Sequence, residues 1–124
     1  MKTPHRLPDS ELTVMQAVWR CTPPVSRAAL EETLLPVYPI AQTTLLTLLS
    51  RLVKKGYLRM DKNGKSNCYI PLITQETYLA EQSRDFIDHV CNGSISLFAS
   101  ALCDSGISRE ELEKLRQLLE DNAL

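Results

Sequence analysis

Residues 41–56 read AQTTLLTLLSRLVKKG, and this run limits the fold more than any other. At about 100° per residue on a helical wheel, Ser50, Thr43, Lys54, Thr47, Arg51, Thr44 and Lys55 fall in order over an arc of roughly 140°. Leu48, Leu52, Leu45, Leu49, Val53 and Leu46 fill the opposite side. A helix divided this way buries its leucines in a core and turns hydroxyls and cations outward. Threonines open the polar side and cations close it. Gly56 stands where a left-handed residue ends such a helix, so the spacing predicts a helix from about Ala41 to Lys55.

Two shorter helices are expected before it. Asp9 or Ser10 is placed to cap a first helix through about Arg20, with Leu12, Met15, Val18 and Trp19 at helical spacing. Pro23-Pro24 ends it. Ser26 caps a second helix to about Leu35, with Val25 and Leu30 at the staple positions. Residues 1–8 carry two prolines and no periodicity and read as a mobile start.

After the long helix, Tyr57 to Asp61 and Ser66 to Ile70 read as two strands around Lys62-Asn63-Gly64-Lys65. Asn-Gly is a strong signal for a two-residue hairpin turn. Such a turn would pair Leu58 with Tyr69 and Met60 with Asn67. Helices are expected again from Thr74 to about Cys91, with Tyr78, Leu79, Phe86, Ile87 and Val90 on one stripe. Another starts at Ser94 and runs through Leu102 and Cys103. A last one opens on the capping box Ser108/Glu111 and the staple pair Ile107/Leu112, with Leu112, Leu115, Leu118 and Leu119 as its stripe.

Charge divides along the same line. The net charge of −1 conceals ten Lys/Arg against five Asp/Glu in residues 1–72 and four against ten in residues 73–124, balances of +5 and −6. Within residues 51–65, six cations (Arg51, Lys54, Lys55, Arg59, Lys62, Lys65) meet one acid, Asp61. A front half of this kind suits a polyanion, and the acidic rear half stays away from it.

Helix, helix, turn, helix, hairpin is the order of a winged helix-turn-helix domain. The expected fold is mainly α with a small β-hairpin wing. Residues 1–72 form an N-terminal winged helix-turn-helix DNA-binding domain, and residues 73–124 form a C-terminal helical dimerisation arm. In a major groove, the hydroxyls of Thr43, Thr44 and Thr47 can reach either base edges or phosphates. Arg51, Lys54 and Lys55 on the helix are placed for phosphates, and Lys62 and Lys65 at the wing tip for phosphate or the adjoining minor groove. The rear helices are too short to hold a core alone. Tyr78, Phe86, Leu112 and Leu119 are therefore expected at a two-fold homodimer interface, which suits a palindromic operator.

Other chemistry is poorly represented. Four cysteines (Cys21, Cys68, Cys91, Cys103) show no CxxC and no two lie closer than 12 residues, which excludes a zinc ribbon. They read as reduced, partly buried small hydrophobes, with Cys91 and Cys103 the candidates for thiol sensing. His5 and His89 lack partners at metal-ligand spacing, so neither metal nor cofactor is expected. No nucleophile set or phosphate-cradling glycine loop points to an enzyme. With no long apolar run and no charged-then-apolar leader, the chain reads as cytoplasmic and free of membrane contact. A competing class is a winged-helix adaptor that binds protein without physiological DNA binding. It predicts little salt-dependent DNA affinity, and the +5 front half argues against it.

The sequence resembles the penicillinase-repressor family, the BlaI/MecI/CopY group, over about residues 7–122. The resemblance rests on Leu7-Pro8-Asp9-Ser10-Glu11-Leu12-Thr13-Val14-Met15 with Val18-Trp19, and on Thr43-Thr44-Leu45 with Thr47. It rests also on Arg51-Leu52-Val53-Lys54-Lys55-Gly56-Tyr57-Leu58, on Cys68-Tyr69-Ile70-Pro71, and on Asn92-Gly93-Ser94 with Ile107-Ser108-Arg109-Glu110-Glu111-Leu112. It implies a homodimeric transcriptional repressor on an operator that overlaps a promoter, with dimerisation through the last three helices carrying over to Tyr78, Leu79, Phe86, Leu112, Leu115 and Leu119 by position. Base contacts carry over to Thr44 and Thr47 and to Thr43, where some members have lysine, so the sequence preference is expected to differ. The β-lactam-responsive members are cut at an Asn-Phe bond where this chain has Ala101-Leu102, which speaks against that release. The copper-responsive branch has a CxC…CxC tail that is not found here, so copper sensing is not expected. Any upstream sensor or protease stays unidentified.

Overall fold

The computed structural model describes residues 6–122; His5 and residues 1–5 of the expected mobile start lie outside them. The elements are α1 (Asp9–Arg20), β1 (Val25–Ser26), α2 (Arg27–Leu34), α3 (Gln42–Lys54), β2 (Leu58–Asn63), β3 (Ser66–Pro71), α4 (Gln75–Asp85), α5 (Ile95–Asp104) and α6 (Arg109–Asn122). A π-helical turn over Phe86–Val90 follows α4. The chain forms two compact units, one reaching Gln82 and one beginning at Ser83. The fold is mainly helical with a small antiparallel sheet, and the first unit is a winged helix-turn-helix. No single helix among the described residues is long and apolar enough to cross a membrane.

Local chemistry sets most helix ends. Ser26 Oγ accepts the Ala29 N–H at 3.1 Å and caps α2. At the end of α3 the Gly56 N–H donates to the Val53 carbonyl and the Tyr57 N–H to the Leu52 carbonyl. Gly56 holds φ +85°, which closes a Schellman cap. Ser108 and Glu111 exchange both bonds of their box, at 3.0 and 3.1 Å. The first helix departs from expectation: Pro8 precedes it and no side chain caps it. Asp9 pairs instead with Arg6 at 3.2 Å.

The core of the first unit sits where α1, α2 and α3 meet the sheet. Leu45, Leu49 and Leu52 of α3 are fully buried beside Val14, Met15, Val18, Leu30 and Leu34. Each such side chain contributes on the order of 2 kcal/mol by leaving water. Leu7 belongs to this core at 1% exposure, so the expected mobile start does not extend to it. Its N–H donates to the Tyr78 hydroxyl at 3.0 Å. The Tyr78 ring lies 5.7 Å from that of Trp19 and 6.0 Å from that of Tyr57, and Trp19 Nε1 donates to the Ile73 carbonyl at 2.9 Å. These contacts draw the start of α4 into the first unit, past residue 72.

The sheet has three strands in the order β1-β3-β2, all antiparallel. The sequence pattern missed β1, whose two residues pair as Val25 with Tyr69 and Ser26 with Cys68. The hairpin register also differs from expectation. Leu58 faces Pro71, Met60 faces Tyr69 and Asn63 faces Ser66, so Gly64-Lys65 make the turn instead of Asn63-Gly64. Side chains alternate with a period of two, so a shift of two residues leaves each on its own face and the hydrophobic pattern cannot choose. The turn decides: Gly64, at φ +69°, takes the first central position that a Gly-first hairpin turn reserves for glycine.

In the second unit Ser94 Oγ caps α5 by accepting the Leu97 N–H at 3.1 Å. The rings of Phe86 and Phe98 meet edge to face at 6.0 Å. Cys68 and Cys91 are buried and Cys21 is half-buried, but Cys103 is exposed, against the expectation for all four.

Candidate nucleic-acid interface

The packing of α3 determines what it shows to solvent. Leu45, Leu48, Leu49 and Leu52 anchor one side in the core, and Thr43, Thr44, Thr47, Ser50, Arg51 and Lys54 are all exposed on the other. The Thr47 hydroxyl donates to the Thr43 carbonyl at 3.0 Å. That bond engages its proton and leaves the oxygen lone pairs and the methyl for an outside group. Thr43 and Thr44 stand in the first turn, where a recognition helix meets base edges.

Six cations cluster in sequence, but the fold divides them. Lys55 Nζ lies 2.5 Å from Glu11 Oε1. Glu11 is the one buried charged residue among those described, so Lys55 neutralises an internal carboxylate instead of standing free for a phosphate. Arg59 donates from Nε and Nη2 to the two oxygens of Asp61, both at 3.0 Å. That hydrogen bonding holds the Asp61 carboxyl below its usual range. Among the described residues, Arg51, Lys54, Lys62 and Lys65 are exposed and have no acidic partner. Lys65 lies in the turn of the wing, while Lys62 sits further down β2, opposite Asn67.

Two depressions flank the polar side of α3. A cleft of about 240 Å³ is lined by Ser26, Arg27 and Ala28 at the start of α2, by Leu46, and by Lys65, Ser66, Asn67 and Tyr69 of the wing. Arg27 also pairs with Glu31 at 3.2 Å, and burial raises the Tyr69 hydroxyl above its ordinary pKa. A shallower depression of about 340 Å³ is lined by Leu46, Thr47, Ser50, Arg51 and Lys54. The two share Leu46. Placed among the core leucines by its side of the wheel, Leu46 is 38% exposed. The signal for this was present in its angle, about 40° from Ser50 at the rim of the polar arc. Ser26, Arg27 and Asn67 were missed because only the fold brings them beside α3.

The residues expected at a dimer interface have separate fates. Tyr78 is 2% exposed within its own chain, its hydroxyl bonded to Leu7 and its ring held by Trp19 and Tyr57. It is a core residue of the first unit and unavailable to a partner. Leu79, Phe86 and Leu119 are exposed at 53%, 44% and 61%, and Leu112 and Leu115 are half-buried. The expected single stripe of α4 divides because Tyr78 faces inward and the π turn displaces the residues after Asp85.

The sequence pattern of the penicillinase repressor family matches residues 7–121. The penicillinase repressor of Bacillus licheniformis is 31% identical over 123 residues, covering 98% of this chain and 95% of that one. The methicillin resistance regulatory protein MecI of Staphylococcus aureus is 27% identical over 116 residues, covering 93% of this chain and 94% of its own. Among solved structures, monomeric Bacillus licheniformis BlaI in complex with the blaP half-operator aligns at a TM-score of 0.52 and 31% identity, covering 63% of this chain and 94% of the other. The DNA-binding domain of the repressor BlaI aligns at 0.53 and 31% identity, covering 62% and 92%.

Proposed function

The chain belongs to the penicillinase repressor family, and from that premise we propose that it is a transcriptional repressor that reads duplex DNA with α3. The observation that carries this reading is the exposed threonine face of α3 bordered by cations without acidic partners. A relative with 31% identity that was solved on a half-operator supports it. In this reading Thr43, Thr44 and Thr47 meet base edges in the major groove. Arg51 and Lys54, with Lys62 and Lys65 of the wing, meet phosphates and fix the register. Lys55 holds α3 in place through Glu11.

The protein acts as a cytoplasmic homodimer on a palindromic operator. What supports this is the second unit, where Phe86, Val90, Ile95, Leu97, Leu118 and Leu119 are between 44% and 66% exposed. A second copy gives these side chains a self-complementary surface. It also sets two reading helices on half-sites about one turn of DNA apart, or a multiple of it.

Fluorescence anisotropy over a salt series tests the reading, with the DNA upstream of the protein's own gene against a random duplex. Tight, selective binding with several counterions released is expected. Absence of salt-dependent binding to either duplex overturns it in favour of a protein-binding adaptor.

A further inference from the structure

Leu46 stands out on α3. Leu45, Leu48, Leu49 and Leu52 are at most 4% exposed, whereas Leu46 is 38% exposed and lies where the two depressions beside the polar face meet. Its surroundings are not those of a protein-docking patch. Arg27 and Lys65 line one depression with it, and Arg51 and Lys54 line the other. Arg27 is already paired with Glu31, but a leucine bordered by Lys65, Arg51 and Lys54 matches a polyanion that carries an apolar group at the depth the helix reaches. Duplex DNA fits: the thymine C5 methyl is the apolar group of the major groove, and cytosine lacks it. Thr43 and Ser50 are the i−3 and i+4 neighbours of Leu46, so its side chain shares their surface.

We propose that Leu46 is a specificity-determining residue that packs on the C5 methyl of a thymine and makes this helix select T over C at one position. The proposal rests on the DNA-binding reading above. It assigns to α3 an apolar contact beside the polar ones of its threonines.

The test starts from the duplex that the wild-type chain selects from a random-sequence library. Each thymine is then replaced in turn by deoxyuridine, which removes only the methyl. At least one replacement is expected to weaken wild-type binding about fourfold, the worth of one buried methyl group. Leu46→Ala is expected to be indifferent to that same replacement while keeping its salt slope. Because Leu46→Ala also removes packing, Leu46→Met is measured alongside with thermal unfolding of both, and Leu46→Met is expected to keep the thymine dependence. A wild-type chain indifferent to every replacement overturns the proposal, as does a Leu46→Ala variant with wild-type losses at every thymine. If the wild-type chain selects no duplex and shows no salt-dependent binding, the DNA reading itself has failed and the proposal falls with it.

Discussion

Lys55 Nζ meets Glu11 Oε1 at 2.5 Å, joining the end of α3 to the first turn of α1 across 44 residues of sequence. The Glu11 side chain is 4% exposed and that of Lys55 43%. A carboxylate so enclosed is costly without a partner. The pair therefore fixes the exit of α3 on the scaffold and sets its polar face relative to the wing. Lys55→Gln is expected to destabilise the protein by about 1–3 kcal/mol in urea unfolding, since it strands the buried charge. The salt slope of DNA binding stays as in the wild type. A lowered slope with unchanged stability would return Lys55 to the phosphate contacts.

Arg51 gives the opposite pattern. It is exposed on the polar side of α3 and no acid pairs with it among the described residues. Arg51→Ala should leave stability within about 0.5 kcal/mol of wild type. It should weaken binding to all sequences alike and lower the salt slope by about 1, as loss of one phosphate contact does. An unchanged slope removes it from the phosphate contacts.

Thr47 tests base reading. Its hydroxyl proton is engaged by the Thr43 carbonyl, so it meets a base edge as an acceptor and through its methyl. Thr47→Ala is expected to cost roughly 1–3 kcal/mol at one base position of the selected duplex. Competition assays with single-base variants read this directly, and equal losses on selected and random DNA would refute it.

What the sequence disclosed was local. The two sides of α3 follow from helical periodicity, and the Ser26 cap, Gly56 and the Ser108/Glu111 box depend on groups within a turn of one another. The features it hid depend on distant partners. Glu11 and Lys55 look alike solvated until folding encloses one and brings up the other. Tyr78 and Leu79 are adjacent apolar residues, and only the Leu7 N–H and the rings of Trp19 and Tyr57 decide that Tyr78 turns inward. Two-residue β1 is too short to show alternation. The hairpin register slipped by two because period-two patterning does not register such a slip.

Tyr57 makes stability depend on pH at the alkaline end. Burial, with the nearby Tyr78, Glu81 and Glu11, pushes its hydroxyl from 10.0 up to about 12. The folded state thus holds the proton that the unfolded chain releases near 10.0. The stabilisation is complete below that pH and is lost as pH rises toward about 12. Urea midpoints across this window should fall for the wild type and fall less for Tyr57→Phe, after allowance for the mutation's own cost. Identical slopes for the two proteins would show that Tyr57 ionises alike in both states.

The second unit yields a prediction that separates assembly from folding. Leu119 is 61% exposed in the single chain, so Leu119→Asp removes little packing there and should leave the helical circular dichroism unchanged. In a two-fold interface the same aspartate is buried without a partner and opposes association by several kcal/mol. Sedimentation equilibrium should therefore show a dimer for the wild type and a monomer for Leu119→Asp. DNA binding should change in a specific way: a monomer brings half the phosphate contacts, so its salt slope should be about half that of the dimer. Tyr78→Phe provides the contrast. It removes the acceptor of the buried Leu7 N–H, so it should cost about 1–3 kcal/mol in unfolding and leave the molecule dimeric. A wild-type chain that sediments as a monomer would overturn the homodimer itself, and a Leu119→Asp variant that stays dimeric would place the contact between copies elsewhere than on α6.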